Sequence, residues 1–401
     1  MTAEPVRLSS YPDVREAFRQ RDLKQALYDA GGAVMAGSLI TLHGDEHKRR
    51  RRAENRLFRR GTFRWWELNL VPGIIAEAFA GPVAAGHADL ARLGRRTIMH
   101  LTGLVAGIDP PQTAEAADAL EEFARVFSAG ATVVHSTRPR DEVNAEAGRA
   151  MREFAAMFVE PSRQRRLALL DDLAAGRVSE DELPRDVLTA LLRHQGELGV
   201  DEGTIRREVA FYLQAGSHST ANLFTHAAHH VFGRMAEPAF AARLGDPVFV
   251  QRCVHEALRL HPASPVAWRR AAARVELRSG VTVPAGALVE LDLVAANTDP
   301  AVWGEDAGTF SPQRPLPDGV MPWGHSFGGG MHACIGLELD GGVPPGDGRA
   351  GADHEPMYGT VTLMLSAVLT HGGRPDPDRP PVRDPDSQRD NFSSYPVIFT
   401  R

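Results

Sequence analysis

The sequence predicts a mainly α fold with small β sheets, and three observations carry that expectation. Apolar residues recur at helical spacing over most of the chain up to about residue 262. Short β-type runs, split by Gly and Pro, cluster after that point. The 401 residues are 43% hydrophobic and 24% charged, the balance of an ordinary globular protein with a large core.

The elements follow in order. Segments 74–106, 114–127, 145–170 and 184–196 mix Ala, Leu, Arg and Glu at a 3.6-residue period and are expected as helices. Residues 201–234 read as one long helix with Asp201 placed to cap it. Gly216 and Ser217 stand at its middle, where a Gly costs about 1 kcal/mol against Ala. Gly216 is therefore either a close-packing position or a local opening of the helix over a ligand. Asp246-Pro247 starts another helix as N-cap and first-turn proline, and His261-Pro262 ends it, because the residue before Pro leaves the helical region. VELRSG, VTVPAG and ALVELDLVAA are the expected strands, and 297–336 is loop-rich. Residues 340–356 form a Gly/Pro/Asp loop, 357–371 a last helix and YPVIFT a terminal strand.

Composition also excludes. A net charge of −6 argues against a general polyanion binder, so no nucleic-acid partner is expected. No run of about 18 apolar residues is evident and the first residues lack a signal-peptide core, so no membrane partner is expected. Cys253 and Cys334 are the two cysteines, which excludes a disulfide scaffold or a multi-cysteine zinc site and fits a cytoplasmic location.

Three constellations can carry chemistry. The first is Phe327-Gly328-Gly329-Gly330-Met331-His332-Ala333-Cys334-Ile335-Gly336. Consecutive glycines let a backbone approach something flat or bulky. The cysteine just after them precedes an expected helix start, where N–H groups favour a thiolate. A buried, inert thiol is the alternative. The second is Glu256 and Arg259, which share one helix face at i,i+3 and sit among Val254, Leu258 and Leu260. The third is Ala215-Gly216-Ser217-His218-Ser219-Thr220, polar groups beside a mid-helix Gly that suit either proton delivery into a cavity or close helix packing. Sixteen histidines include His226, His229 and His230; His226 and His230 stand at i,i+4, but packing or surface roles are expected for them rather than a metal site.

Together, in this order and at these separations, the three motifs resemble the cytochrome P450 family of heme-thiolate monooxygenases. The Cys loop is similar to the family's Phe-x-x-Gly-x-His-x-Cys-x-Gly signature at every fixed position, Glu256 and Arg259 to its Glu-x-x-Arg pair, and Ala215-Gly216 to the Ala-Gly of its distal helix. Val283-Pro284-Ala285-Gly286, the run Ala295 to Pro300, and Phe310 to Arg314 extend the likeness over roughly residues 10–340.

The resemblance implies the cytochrome P450 fold as a single heme domain over 1–401, with heme b (iron protoporphyrin IX) as cofactor. It implies Cys334 as the axial ligand of the heme iron, Gly330 and Gly336 as positions where the loop packs against the porphyrin, and Phe327 as the shield of the sulfur. His47, Arg51, Arg269 and His332 would hold the heme propionates, Arg51 facing inward while the rest of Lys48–Arg52 faces solvent. Glu256, Arg259 and Arg314 would form a structural network below the heme. Ala215, Gly216, His218 and Ser219 would be the catalytic stretch. Lining segments 28–40, 127–140, 263–268 and 391–396 would offer Val34, Met35, Val133, Val134 and Val266 to substrate.

The sequence departs from the family in three places. The first helix and hairpin of the family are missing before Tyr11, 340–356 is an insertion after the heme loop, and His218-Ser219 stands where an acid and Thr are usual. The function implied is insertion of one oxygen atom from O2 into a small organic substrate, in bacterial secondary metabolism. Electrons would come from a separate ferredoxin and ferredoxin reductase type of donor. The alternatives are peroxide-driven oxidation, oxidative coupling or rearrangement without oxygen insertion, and a non-catalytic heme-binding sensor.

Overall fold

A computed structural model describes residues 4–344 and 356–400. The chain divides into two compact units, one of residues 1–27, 66–94 and 220–401, the other of 28–65 and 95–219.

The first unit holds the β structure. Its main sheet has four strands in the order Val6–Leu8, Leu288–Asp292, Val266–Ala271, Leu23–Gln25. The first pair is parallel and the others antiparallel, with Val6 opposite Val289, Ala267 opposite Leu291 and Leu23 opposite Ala271. Leu8, Val14, Phe18, Leu23, Val289 and Leu291 are buried in one apolar cluster under this sheet. A second, three-stranded sheet joins His87–Asp89, Pro396–Ile398 and Arg374–Pro375. The N-terminal strands escape a periodicity reading because three residues are too few to show alternation. The strand Val6–Leu8 lies before Tyr11, where the family's first helix and hairpin are expected to be missing.

Several expected boundaries shift for identifiable reasons. The helical stretch 74–106 is broken: Gly86 adopts φ 76° and closes the helix Val71–Ala85, and Leu90–Ala106 starts afresh after the strand. The 145–170 stretch runs as Arg140–Phe154 and Glu160–Ala174 with a π-type turn at Ala155–Val159 between them. Pro161 lacks an N–H and crowds the preceding turn, and the wider turn accommodates it. In ALVELDLVAA only Leu288–Asp292 is strand; Asp292 then accepts the Ala295 N–H at 2.9 Å and caps the helix Leu293–Asn297. Of the 340–356 loop, Asp340 and Gly341 end the helix Leu337–Gly341, Val343 bridges Met357, and 345–355 lie outside the described residues. The last helix is Thr360–Thr370.

One stretch, Arg60–Ala85, reaches a mean hydropathy of 1.4 over an 18-residue window, a signal the sequence reading passed over. It is two helices, Arg60–Asn69 and Val71–Ala85, with Pro72 at the start of the second and Pro82 inside it. Leu68 and Trp65 are exposed on it.

The second unit is helical. Phe123, Phe127, Phe154 and Phe158 stack and cross edge-on between Ala114–Ala131 and the helical run that follows it, with ring centres 5.1–6.1 Å apart. The helix Glu202–Arg234 begins in this unit, its first turn capped by Asp201, which accepts the Thr204 N–H at 2.6 Å. From Thr220 onward its residues belong to the first unit.

Candidate heme site

The Cys loop is built against the N-terminal segment and the helix Pro247–Leu260. Gly330 has φ 63°, and a Cβ there would lie 1.9 Å from the carbonyl oxygen of Phe18, so only glycine fits on both counts. The Cys334 N–H donates to the Phe327 carbonyl at 2.9 Å, closing the turn. Phe327 packs edge-on against Trp323 at 5.3 Å. The helix that follows Gly336 has five residues, too few for the strong helix-end field expected at the cysteine.

Asn297 ties this loop to the helix. Its Nδ2 donates to the Arg259 carbonyl at 3.0 Å and to Ser326 Oγ at 2.9 Å, while its Oδ1 accepts the His325 N–H at 2.7 Å. His325 in turn stacks on Tyr11 at 4.0 Å, with its Nε2 at 3.0 Å from the Tyr11 carbonyl. Sequence reasoning quoted Asn297 as part of a matching run without seeing this bracing role. Nothing in the spacing of residues 297 and 325 announces it.

Below the loop lies a buried ion network. Arg259 is fully buried and donates to both oxygens of Glu256, at 2.8 and 2.7 Å, and to the carbonyls of Asn297 and Ala307. Arg314 reaches Glu256 Oε1 at 3.4 Å and also pairs with Asp306. Each buried charge thus has several partners, as burial requires.

Arg269 is buried on the sheet. Its Nη1 donates to Gln25 Oε1 and to the Trp268 carbonyl, both at 2.8 Å, and its guanidinium lies 5.2 Å from the Phe18 ring. Phe18 therefore touches both the glycines of the Cys loop and Arg269. His332 is half-buried on the loop itself. The two cysteines differ sharply. Cys253 is buried and its thiol is pushed up to about 12 by desolvation, whereas Cys334 is exposed.

The remaining candidates belong to the second unit. On the helix Gly44–Glu54, His47 is buried and driven down to about 4, chiefly by desolvation and then by the Arg51 charge, so it is a neutral imidazole. Arg51 is half-buried, its Nε donating to Asn55 Oδ1 at 2.9 Å. The fully inward cation of the basic run is Arg50, bound to the buried Glu208 at 3.0 Å, which the sequence reading did not single out.

On the long helix, Ala215, Gly216, His218 and Ser219 form a partly exposed stripe, while Gln214, Ser217 and Thr220 are buried. The helix stays continuous through Gly216, so of the two readings of this glycine the local opening is not formed. Close packing explains the glycine: a Cβ there would stand 2.4 Å from Thr102 Cγ2. Ser219 Oγ donates to the Ala215 carbonyl at 2.6 Å. Thr220 points elsewhere, donating to Asp340 Oδ1 at 2.8 Å. Of the apolar residues expected to meet substrate, Val34, Met35 and Val133 are core, and Val134 and Val266 are partly exposed.

A sequence profile of the cytochrome P450 family matches residues 225–339, which contain the Glu-x-x-Arg pair and the Cys loop. Vitamin D(3) 25-hydroxylase of Pseudonocardia autotrophica is 27% identical over 351 residues, covering 83% of this chain and 76% of that protein. Among solved structures, CalO2 aligns at a TM-score of 0.74 and 20% identity, covering 98% of this chain and 90% of its own. Residues 225–339 thus match the cytochrome P450 family, and the chain as a whole has the fold of cytochrome P450 structures. Other relatives match over less: a putative cytochrome P450 137 of Mycobacterium tuberculosis is 29% identical over 47% of this chain and 42% of its own. P450BioI, solved with an acyl carrier protein bearing hexadec-9Z-enoic acid, has the same fold at a TM-score of 0.74 and 17% identity, covering 98% and 92%.

The cytochrome P450 proteins that the chain resembles are heme b monooxygenases. The Cys loop of this chain fits heme in presenting an exposed thiol, with the buried cation Arg269 alongside Phe18, whereas the need for glycine at 330 comes from the Phe18 carbonyl.

Proposed function

We propose that this P450 works as one heme domain, with Cys334 as the axial ligand, oxidising a small organic substrate in bacterial secondary metabolism. A separate ferredoxin-type donor would supply electrons to it in the cytoplasm. The contrast between the two cysteines carries the ligand assignment. Burial pushes the Cys253 thiol up to about 12, which disfavours its thiolate, whereas Cys334 is exposed on the glycine turn and supports the assignment. Bound heme supplies activation of O2, which a thiolate ligand promotes by donating electron density.

The chain's own residues do the rest. Gln25 fixes the Arg269 guanidinium so that its charge is pre-oriented for a propionate, and His332 and Arg51 add positive or donating groups. His47, held neutral, would donate one N–H to a propionate rather than a charge. Glu256, Arg259 and Arg314 keep the Cys loop's support rigid. Ala215 and Gly216 keep their helix face low, and His218 would carry a proton at its ring nitrogen. The name of the Pseudonocardia relative, a hydroxylase of vitamin D3, supports oxidation of an unactivated carbon.

The carbon monoxide difference spectrum of the reduced protein tests the ligand. Cys334→Ser should lose the thiolate-type Soret shift and Cys253→Ser should keep it; the reverse rejects the assignment. One observation favours a second reading. Ser219 Oγ already gives its proton to the Ala215 carbonyl, so it accepts hydrogen bonds more readily than it delivers protons. Peroxide-driven oxidation, or coupling without oxygen insertion, needs no such relay. Product formed per NADPH in His218→Ala and Ser219→Ala tests the relay: unchanged coupling rejects it in favour of substrate-assisted or peroxide-driven chemistry, and product formed from peroxide without NADPH selects the latter.

A further inference from the structure

The long helix carries His226, His229 and His230 in its last turns, and the heme reading uses none of them. They meet a fourth imidazole and a carboxylate from two other parts of the first unit. His261, at the end of the helix Pro247–Leu260, stacks on His226 with ring centres 4.0 Å apart. Its Nε2 lies 2.8 Å from His230 Nε2, and its Nδ1 lies 3.5 Å from Asp390 Oδ2. Arg383 holds the other oxygen of Asp390 at 2.8 Å. One ligand atom each from His226, His261 and Asp390 lies within 4.8 Å of the other two.

Two features distinguish this from ordinary histidine packing. His226 is 3% exposed, and its Nδ1 is buried with no hydrogen-bond partner. A buried polar nitrogen left unmatched is costly and calls for an explanation, of which a metal ion is one. The second feature is the contact between the two Nε2 atoms of His230 and His261, which requires one to carry hydrogen and the other to accept it. If His261 Nε2–H donates, His261 Nδ1 presents a lone pair toward Asp390, and a cation between them relieves the repulsion of lone pair and carboxylate.

We propose that His226, His261 and Asp390 bind a zinc-class divalent cation, with the fourth position open to solvent. Two imidazoles and one carboxylate suit zinc, and three protein ligands leave one coordination position for water. His230 acts as the outer partner that fixes the tautomer of His261, and Arg383 orients the carboxylate through its other oxygen. Zinc bonds to nitrogen of roughly 2.0–2.1 Å require the three ligand atoms to close in. His226 therefore turns out of its stack with His261, and Asp390, being exposed, swings inward. The Arg383 charge makes the site weaker than the same ligands would be without it.

The test uses heme-loaded protein stripped of loose metal with EDTA, then titrated with zinc against a chromophoric chelator. One zinc per heme is expected. Asp390→Asn changes an exposed residue and His226→Ala a buried one; each should weaken zinc by more than 100-fold, about the upper limit for losing an outer partner. His230→Ala should weaken it roughly 10- to 100-fold. The heme spectrum should stay the same throughout, which separates this outcome from failure of the heme assignment. If the parent binds no zinc, or if Asp390→Asn and His226→Ala bind it as the parent does, the proposal is overturned and any zinc sits on other histidines.

Discussion

Glu54 and Glu208 are both fully buried in the second unit and lie on either side of one guanidinium, that of Arg50. Glu208 accepts the Leu39 N–H with both oxygens, and Glu54 accepts the Tyr212 hydroxyl. Desolvation raises both carboxyls, Glu54 to about 7, because one cation does not compensate two buried anions. A carboxyl raised in the folded state binds its proton more tightly there than in the unfolded chain. The stability it contributes is full below the ordinary value of 4.5 and is lost as pH rises toward about 7. Glu54→Gln mimics the protonated form and keeps an acceptor for Tyr212. It should flatten the fall in stability between these pH values and stabilise the fold at pH 8 by on the order of 1–3 kcal/mol. Denaturant melts at pH 5 and pH 8 read this, and an undiminished pH slope in the variant rejects it.

At the scale of elements, the long helix shows how a residue can look functional and be explained by a neighbour. Gly216 sits where a Cβ would meet Thr102 Cγ2 at 2.4 Å, and Thr102 cannot yield easily because its hydroxyl bonds the Ile98 carbonyl at 3.0 Å. Helix propensity alone makes Gly216→Ala favourable by about 1 kcal/mol. Overpacking opposes it by roughly 1–3 kcal/mol and should win. The double variant Gly216→Ala with Thr102→Ser removes the clashing methyl and should recover the loss. Thermal melts of the two variants check this; equal melting of the single and double variants would mean the contact is not what requires glycine. The helix caps Asp201, Asp246 and the Pro247 start were legible in the sequence because capping is local. The division of 74–106 and 145–170 was not, because a left-handed Gly86 and the π-type turn before Pro161 leave helical periodicity on both sides intact.

Over the whole molecule, the proposed heme would be a ligand of the folded chain. A ligand that binds only the native chain stabilises it by mass action, so heme-loaded protein should melt higher than heme-free protein. If Arg51 and Arg269 hold propionates as proposed, Arg51→Ala and Arg269→Ala would each remove a charge-assisted hydrogen bond worth roughly 1.5–3 kcal/mol. Heme affinity should fall on the order of 10- to 100-fold, read as occupancy after purification and in mild denaturant. Full retention by both variants would exclude the propionate roles.

The sequence by itself determined the helical class, the family resemblance and the residues of the Cys loop, because those signals lie in contiguous motifs whose glycines and cysteine are fixed by local backbone and bonding chemistry. It also gave the Glu256–Arg259 pair, since i,i+3 neighbours meet on any helix. Only the tertiary structure decided which cation of the run Lys48–Arg52 turns inward. That depended on where Glu208, 158 residues away, would stand, and Arg50 meets it. The same holds for Asn297 bracing the Cys loop, and for His261 and Asp390 arriving beside His226. Spacing along a chain records neighbours within a few residues, whereas these contacts are chosen by packing among distant segments, whose free energy is not written in any one of them.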